Sequence, residues 1–382
     1  MVSRRYYYYL FLMSAVINII NLVPRVLIFT RFDGVFWSIL LAVAYGSLTM
    51  YMFTRLIIKF EGQGFPEIFN TYLPKGVVIP LLILYSIFWF VAGSIMLLSF
   101  VDITLRFISP DISARAVMTG FLILVVGASR FKTTSILYAT EIVLLLSFPA
   151  MVFILIKALI NPAFNWDSVL QVLTYLWTKP KLVTVTGASF AFTGYVNLAI
   201  FNRSFNNLTL KLRHFWLVPV SGLLILLVTL LVPIGYHGSI GVEDHVYSWF
   251  STADSLRMET FIVERVLYLF YITYLSMSLV MVVIYWHVGL ELFKGCFNEK
   301  EDKKDSGDKE TDTGKKSRKN QWIEAILLFT VSASMIYLTE RINQVRLAQA
   351  GQWFLNLRFF SETFLILLLM FLVWRKRRSA RR

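Results

Sequence analysis

Residues 186–201 read TGASFAFTGYVNLAIF. The stretch is apolar enough to lie in a membrane, yet it carries Gly187 and Gly194 and the small polar side chains of Ser189, Thr193 and Asn197. Glycine weakens a helix. A helix in lipid must satisfy its own backbone, so such residues are tolerated mainly where the backbone faces protein or a wet cavity. A second stretch of this character lies near the start: residues 18–25, NIINLVPR, with Asn18, Asn21 and Pro24. The proline has no amide donor and frees a carbonyl about a turn earlier. Both stretches are therefore predicted to be interrupted membrane spans.

The rest of the chain supplies the spans around them. Of 382 residues, 57% are hydrophobic and 16% charged, against roughly 25% charged in a soluble domain, and the mean hydropathy is +0.65. The apolar residues fall into runs of about 20, the length of a helix crossing a hydrocarbon core of roughly 30 Å. This excludes a soluble domain, a disordered chain and an outer-membrane barrel, whose strands alternate over about ten residues. Ten spans are predicted: Tyr6 to Phe29, Gly34 to Ile58, Val77 to Phe107, Ala114 to Ala128, Ile136 to Ile160, Leu182 to Phe201, Phe215 to Tyr236, Phe261 to Leu290, Trp322 to Leu338 and Phe359 to Trp374. The interrupted spans are the first and the sixth. In two five-span repeats of opposite orientation these positions match, and matched breaks point to a binding site at mid-membrane. The expected fold is thus all-α and integral to the membrane, one domain over 1–382, a 5+5 inverted repeat with discontinuous helices 1 and 6. Residues 294–320, rich in both charges, read as a solvated linker between helices 8 and 9.

The formal charge of +14 is first a topology signal. With the amino terminus inside, the inner face receives Arg4, Arg5, Lys59, Lys75, Arg130, Lys132, Arg203, Lys211, Arg213, the linker and the tail 375–382. The outer side receives Arg25, Arg31, Arg106, Arg115, Lys157, Lys179, Lys181, Arg257, Arg341, Arg346 and Arg358, about half as many basic residues. Both termini are expected to be cytoplasmic, and the tail RKRRSARR to anchor on anionic lipid rather than bind nucleic acid. The single cysteine, Cys296, excludes an internal disulfide, and without ligand-spaced clusters no metal site or other cofactor is expected. No phosphate-cradling loop, HExxH helix or GxSxG elbow is present, so an enzyme is not expected.

Candidate ligand-binding residues follow from the breaks and from the long spans three and eight, which symmetry pairs: Asn18, Asn21, Trp89, Gly93, Gly187, Ser189, Phe190, Thr193, Gly194 and Tyr274. Ionisable groups inside spans are the costlier feature, roughly 2.5–3.5 kcal/mol each at the bilayer centre on insertion scales. Asp102, Arg106, Glu264 and Arg265 fall in the outer parts of spans three and eight, where Asp102 with Arg265, or Glu264 with Arg106, would form a gating or static ion pair. Glu141 in span five has no partner in sequence and is a candidate for a proton or water path, and Glu324 falls within span nine.

Three phrases resemble a known family: VPRVLIFTRFDGVFWSILLAVAYG (23–46), FPEIFNTYLP (65–74) and STADSLRMETFIVERVLYLFYITYL (251–275), in which Glu264-Arg265 opens span eight. The chain resembles the B subunits of bacterial spore-germinant receptors, the germination permeases, which are similar to amino acid/polyamine/organocation transporters. The resemblance implies a ten-helix inverted-repeat fold in the spore inner membrane and recognition of a small nutrient, typically an amino acid. It implies as partners a larger membrane A subunit and a lipoprotein C subunit. Asn18 and Asn21 stand where many relatives have glycine-containing phrases. Two other readings stay open: a secondary amino acid transporter driven by Na+ or H+, and a structural or water- and ion-passage subunit that binds no ligand.

Overall fold

The computed structural model describes residues 5–20, 22–205, 215–256, 265–297 and 310–379, with the backbone alone at 310–320 and 379. In chain order the helices are α1 (Arg5–Ile17), α2 (Leu22–Phe29), α3 (Val35–Ile57), α4 (Phe65–Tyr72), α5 (Lys75–Phe107), α6 (Ala114–Ser129), α7 (Thr133–Ile160), α8 (Trp166–Leu173), α9 (Leu182–Ser189), α10 (Leu198–Phe201), α11 (Leu217–His237), α12 (Ser248–Ser255), α13 (Val266–Gly295), α14 (Glu310–Arg341) and α15 (Gln344–Ser379). Between α9 and α10 the tighter 3-10 helix Phe190–Asn197 carries the chain. There is no β-strand among the described residues.

Eight helical stretches among the described residues are long and apolar enough to cross a membrane, or nine if the bent pair α1 and α2 is one span. The expected fourth span, α6, has 16 residues, about 24 Å at 1.5 Å per residue, and falls short of that length. Burial orders the rest. The stretch Leu182–Ser204 is 89% buried and Gln321–Arg341 17%, so the sixth span lies at the heart of the bundle and α14 at its edge. The described part of the charged segment continues α14 as helix from Glu310.

Local chemistry fixes several element ends. Ser113 caps α6 by accepting from the Ala116 amide, and Asn165 Oδ1 caps α8 from the Asp167 and Ser168 amides. Gly64 N–H donates to Glu67 at the start of α4, with Pro66 in its first turn. Gly34 has φ +70°, and an added Cβ would lie 1.9 Å from the Lys179 carbonyl oxygen. Only glycine fits a turn that both demands and crowds that conformation. Pro24 corrects the expectation placed on it. It sits in the first turn of α2, where its missing N–H would have no helical partner anyway, so it starts the second half of the bent pair. The chain turns before it, and α1 and α2 meet at 53°.

The spine is the contact of α5 with α13. A Cβ on Gly93 would lie 2.6 Å from the Trp286 ring, and one on Gly289 would lie 3.0 Å from the Phe90 ring. Each ring occupies the notch left by the other helix's glycine, the two rings meet edge-on at 5.5 Å, and Ser86 donates to the Gly289 carbonyl across the seam.

Charges gather at the two ends. At one end an alternating chain runs from Glu67 to Arg203 (2.7 Å), Glu291 (2.7 Å), Lys294 (3.1 Å), Glu324 (3.0 Å) and Arg130 (2.7 Å), joining α4, the end of the sixth span, α13, α14 and α6. The start of α1 and the close of α15 lie at this end, through Arg5 to Glu141 and Lys376 to the Lys59 carbonyl. At the other end buried Arg31 donates to the carbonyls of Ile28 and Ser239 and pairs with Glu243, pinning the close of α2 to the segment after α11.

Candidate functional site

Where α9 ends at Ser189, its last carbonyls point along the helix axis with no amide of a continuing α-helix to receive. Arg358 of α15 meets them. One Nη donates to the Thr186 carbonyl and to Ser189 Oγ, both at 2.8 Å, and the guanidinium lies over the Phe190 ring at 5.2 Å. A cation at the negative end of a helix is favoured, and Thr186 Oγ1 donating to Asn356 Oδ1 at 2.9 Å ties the same two helices again. The other Nη of Arg358 donates to both oxygens of Glu362, one turn on, at 3.1 and 3.2 Å. Arg358 is 5% exposed and Glu362 6%, so this pair is out of water in the interior of a membrane protein. Burying two charges is repaid only when geometry and further hydrogen bonds are good. One donor is left over: Arg358 Nε is buried with no partner among the described residues.

The pair borders a cavity of about 50 Å³, room for a few waters or a few heavy atoms. Tyr85, Trp89 and Ala92 of α5, Phe190, Thr193 and Asn197 of the 3-10 helix, Tyr285 of α13 and Phe354 of α15 are among its walls. Trp89 Nε1 donates to Asn197 Oδ1 at 2.8 Å, which fixes the indole in the wall. Asn18 donates to the Phe190 carbonyl at 3.1 Å while its own Oδ1 is buried without a partner. The site thus sets a buried guanidinium and carboxylate against aromatic walls. It holds both signs of charge within one helical turn.

The residues singled out from sequence divide into groups. Trp89, Phe190 and Thr193 line this cavity, Ser189 is bonded to Arg358, and Asn18 braces the 3-10 segment. The glycines do other work. A Cβ on Gly187 would meet Val26 at 2.8 Å, and one on Gly194 would lie 2.3 Å from the Leu10 carbonyl oxygen, so these two let α2 and α1 approach the sixth span. Gly93 receives Trp286, and Tyr274 lines a separate cavity. Asp102 pairs with Arg106 on its own helix at 3.3 Å and accepts from Gln344 of α15 at 2.8 Å, while Arg265 is exposed at the start of α13. Glu141, without a partner in sequence, accepts from Arg5 and Tyr6. Asn21 and Glu264 lie outside the described residues.

Arg358 and Glu362 escaped the sequence reading. The tenth span was started at Phe359 and Arg358 placed in an outer loop, because Arg346, Gln349, Gln352 and Asn356 lower the hydropathy ahead of it. In the structure α15 runs unbroken over 36 residues from Gln344, which puts Arg358 well inside the helix. The available signal was RFFSE itself, opposite charges at i and i+4 entering an apolar run.

Comparison of the chain with protein-family models and with curated proteins gives no match. The resemblance to germination permeases therefore rests on the three quoted phrases.

Proposed function

We propose that the chain is a ligand-recognising membrane subunit of transporter-type fold, ten spans in a 5+5 inverted repeat with discontinuous helices 1 and 6 and both termini cytoplasmic. In this reading it is the B-type subunit of a germinant receptor in the spore inner membrane, working with an A-type membrane subunit and a C-type lipoprotein. Its ligand is a small nutrient, an amino acid by the family resemblance. The observation that supports it is the central cavity, where the 3-10 helix after α9, the indole of Trp89 and the buried Arg358–Glu362 pair surround a gap. A ligand there would act by binding one arrangement of α9 and α15 more tightly than another, shifting the receptor between states.

The test is germination of spores lacking the gene, complemented with wild type or with Ala92→Phe, which fills the cavity from α5. Gly194→Trp does not serve, because it strikes the α1 backbone before it reaches the cavity. Loss of response to one nutrient in both the deletion and Ala92→Phe, with the protein present in the membrane, is the expected result. An unchanged response in Ala92→Phe refutes the site. Uptake of the same nutrient by proteoliposomes holding this chain alone would make it a secondary transporter instead.

A further inference from the structure

A second cavity lies across α1 from the first. It is about 250 Å³, and it is bounded by α1, α7, α11, α12 and α13. Val16, Phe148, Val152, Val228, Trp249 and Tyr274 typify its wall, and no charged residue lines it. Its only aliphatic hydroxyl, on Ser221, is already spent on the Leu217 carbonyl. The aperture is between α7 and α11, where Phe148 is 50% exposed and Leu224 60% on faces that meet hydrocarbon in a membrane.

Two polar groups in this apolar wall lack partners. The Trp249 ring stacks on Phe270 at 6.1 Å, 5° from parallel, and its Nε1 is buried with no acceptor among the described residues. The Tyr274 ring packs on Phe270 at 4.4 Å, and its hydroxyl makes no hydrogen bond among the described residues.

We propose that this cavity binds one acyl chain of a bilayer lipid. The chain enters between α7 and α11, and its methylenes run past Trp249, Phe270 and Tyr274 to Val16 and Val228. The charged headgroup stays outside, as a wall without charges requires. The occupant supports the face of α1 opposite Ser14 and Asn18, the side chains that reach the 3-10 helix. This lipid site does not depend on what the central cavity binds.

The experiment uses the full chain in nanodiscs of phosphatidylcholine and phosphatidylglycerol, doped with phosphatidylcholine bearing a mid-chain diazirine, irradiated and mapped by peptide. Label is expected to concentrate on 148–155, 221–228 and 270–274, above that on the exposed face of α14 around Ile326 and Phe329. Val228→Trp, or the smaller Ile225→Phe if the first does not fold, lowers cavity label several-fold and leaves α14 label unchanged. Label no denser than on α14, or unaltered by the filling variants, overturns the site. Displacement of the label by stoichiometric free oleate, with no phospholipid retained on purification, overturns the bilayer lipid as its source.

Discussion

Two pairs in this molecule share the same chemistry and spacing and differ in depth. Arg106 and Asp102 are an i,i+4 pair near the close of α5, with side chains 48% and 28% exposed. Arg358 and Glu362 are an i,i+4 pair within α15, with side chains 6% and 8% exposed. At the rim water and salt share the charges, and such pairs contribute roughly 0–1 kcal/mol. In the interior each charge depends on the other and on the few dipoles aimed at it. The difference teaches that opposite charges one turn apart say little until their depth is known.

The largest expected effect breaks the interior pair. Arg358→Ala leaves Glu362 buried without its cation and removes the cap from α9, a loss of about 3–5 kcal/mol, read as a fall in folded fraction in detergent unfolding. Between the two extremes lies the alternating chain at the end that holds Glu67 and Arg130. Glu324→Gln removes the carboxylate shared by Arg130 and Lys294, and about 1–3 kcal/mol is expected as for charged hydrogen bonds. At the rim, Asp102→Asn should change stability by less than about 1 kcal/mol, and raising salt from low to high should erase even that difference while leaving the Arg358→Ala deficit intact. The smallest shift sharpens the contrast most. Replacing the interior pair together, Arg358→Met with Glu362→Leu, should leave stability near wild type or above it while abolishing nutrient response in complemented spores. If the double variant is as unstable as Arg358→Ala, the pair is retained for folding and the functional reading of the cavity loses its main support.

That the chain is helical and membrane-embedded was legible in its composition and in runs of the right length. Phe190 and Thr193 could be read from the glycines beside them, while Trp89 was reached only by pairing spans three and eight. Arg358 and Glu362 did not stand out, since a hydropathy average over QVRLAQAGQWFLNL treats amides on a helix and amides in a loop alike. The glycines misled for a related reason. Gly93, Gly187 and Gly194 announce missing volume, and only the fold says whether a ligand or a distant side chain fills it. Here Trp286, Val26 and the Leu10 backbone do. Glu141 lacked a partner for the same cause, because its partners Arg5 and Tyr6 lie more than 130 residues away.

The interlocked seam of α5 and α13 bears on how the molecule can move. With Phe90 seated at Gly289 and Trp286 at Gly93, neither helix can slide or roll along the other without first withdrawing a ring from its notch, and close-packed interiors resist such small displacements. These two helices therefore behave as one rigid beam through the bundle. Any change of shape that transmits occupancy of the central cavity has to swing α9, α15 and the bent α1–α2 pair about that beam, which makes the seam the fixed frame and the sixth span's hydrogen bonds to α15 the moving part.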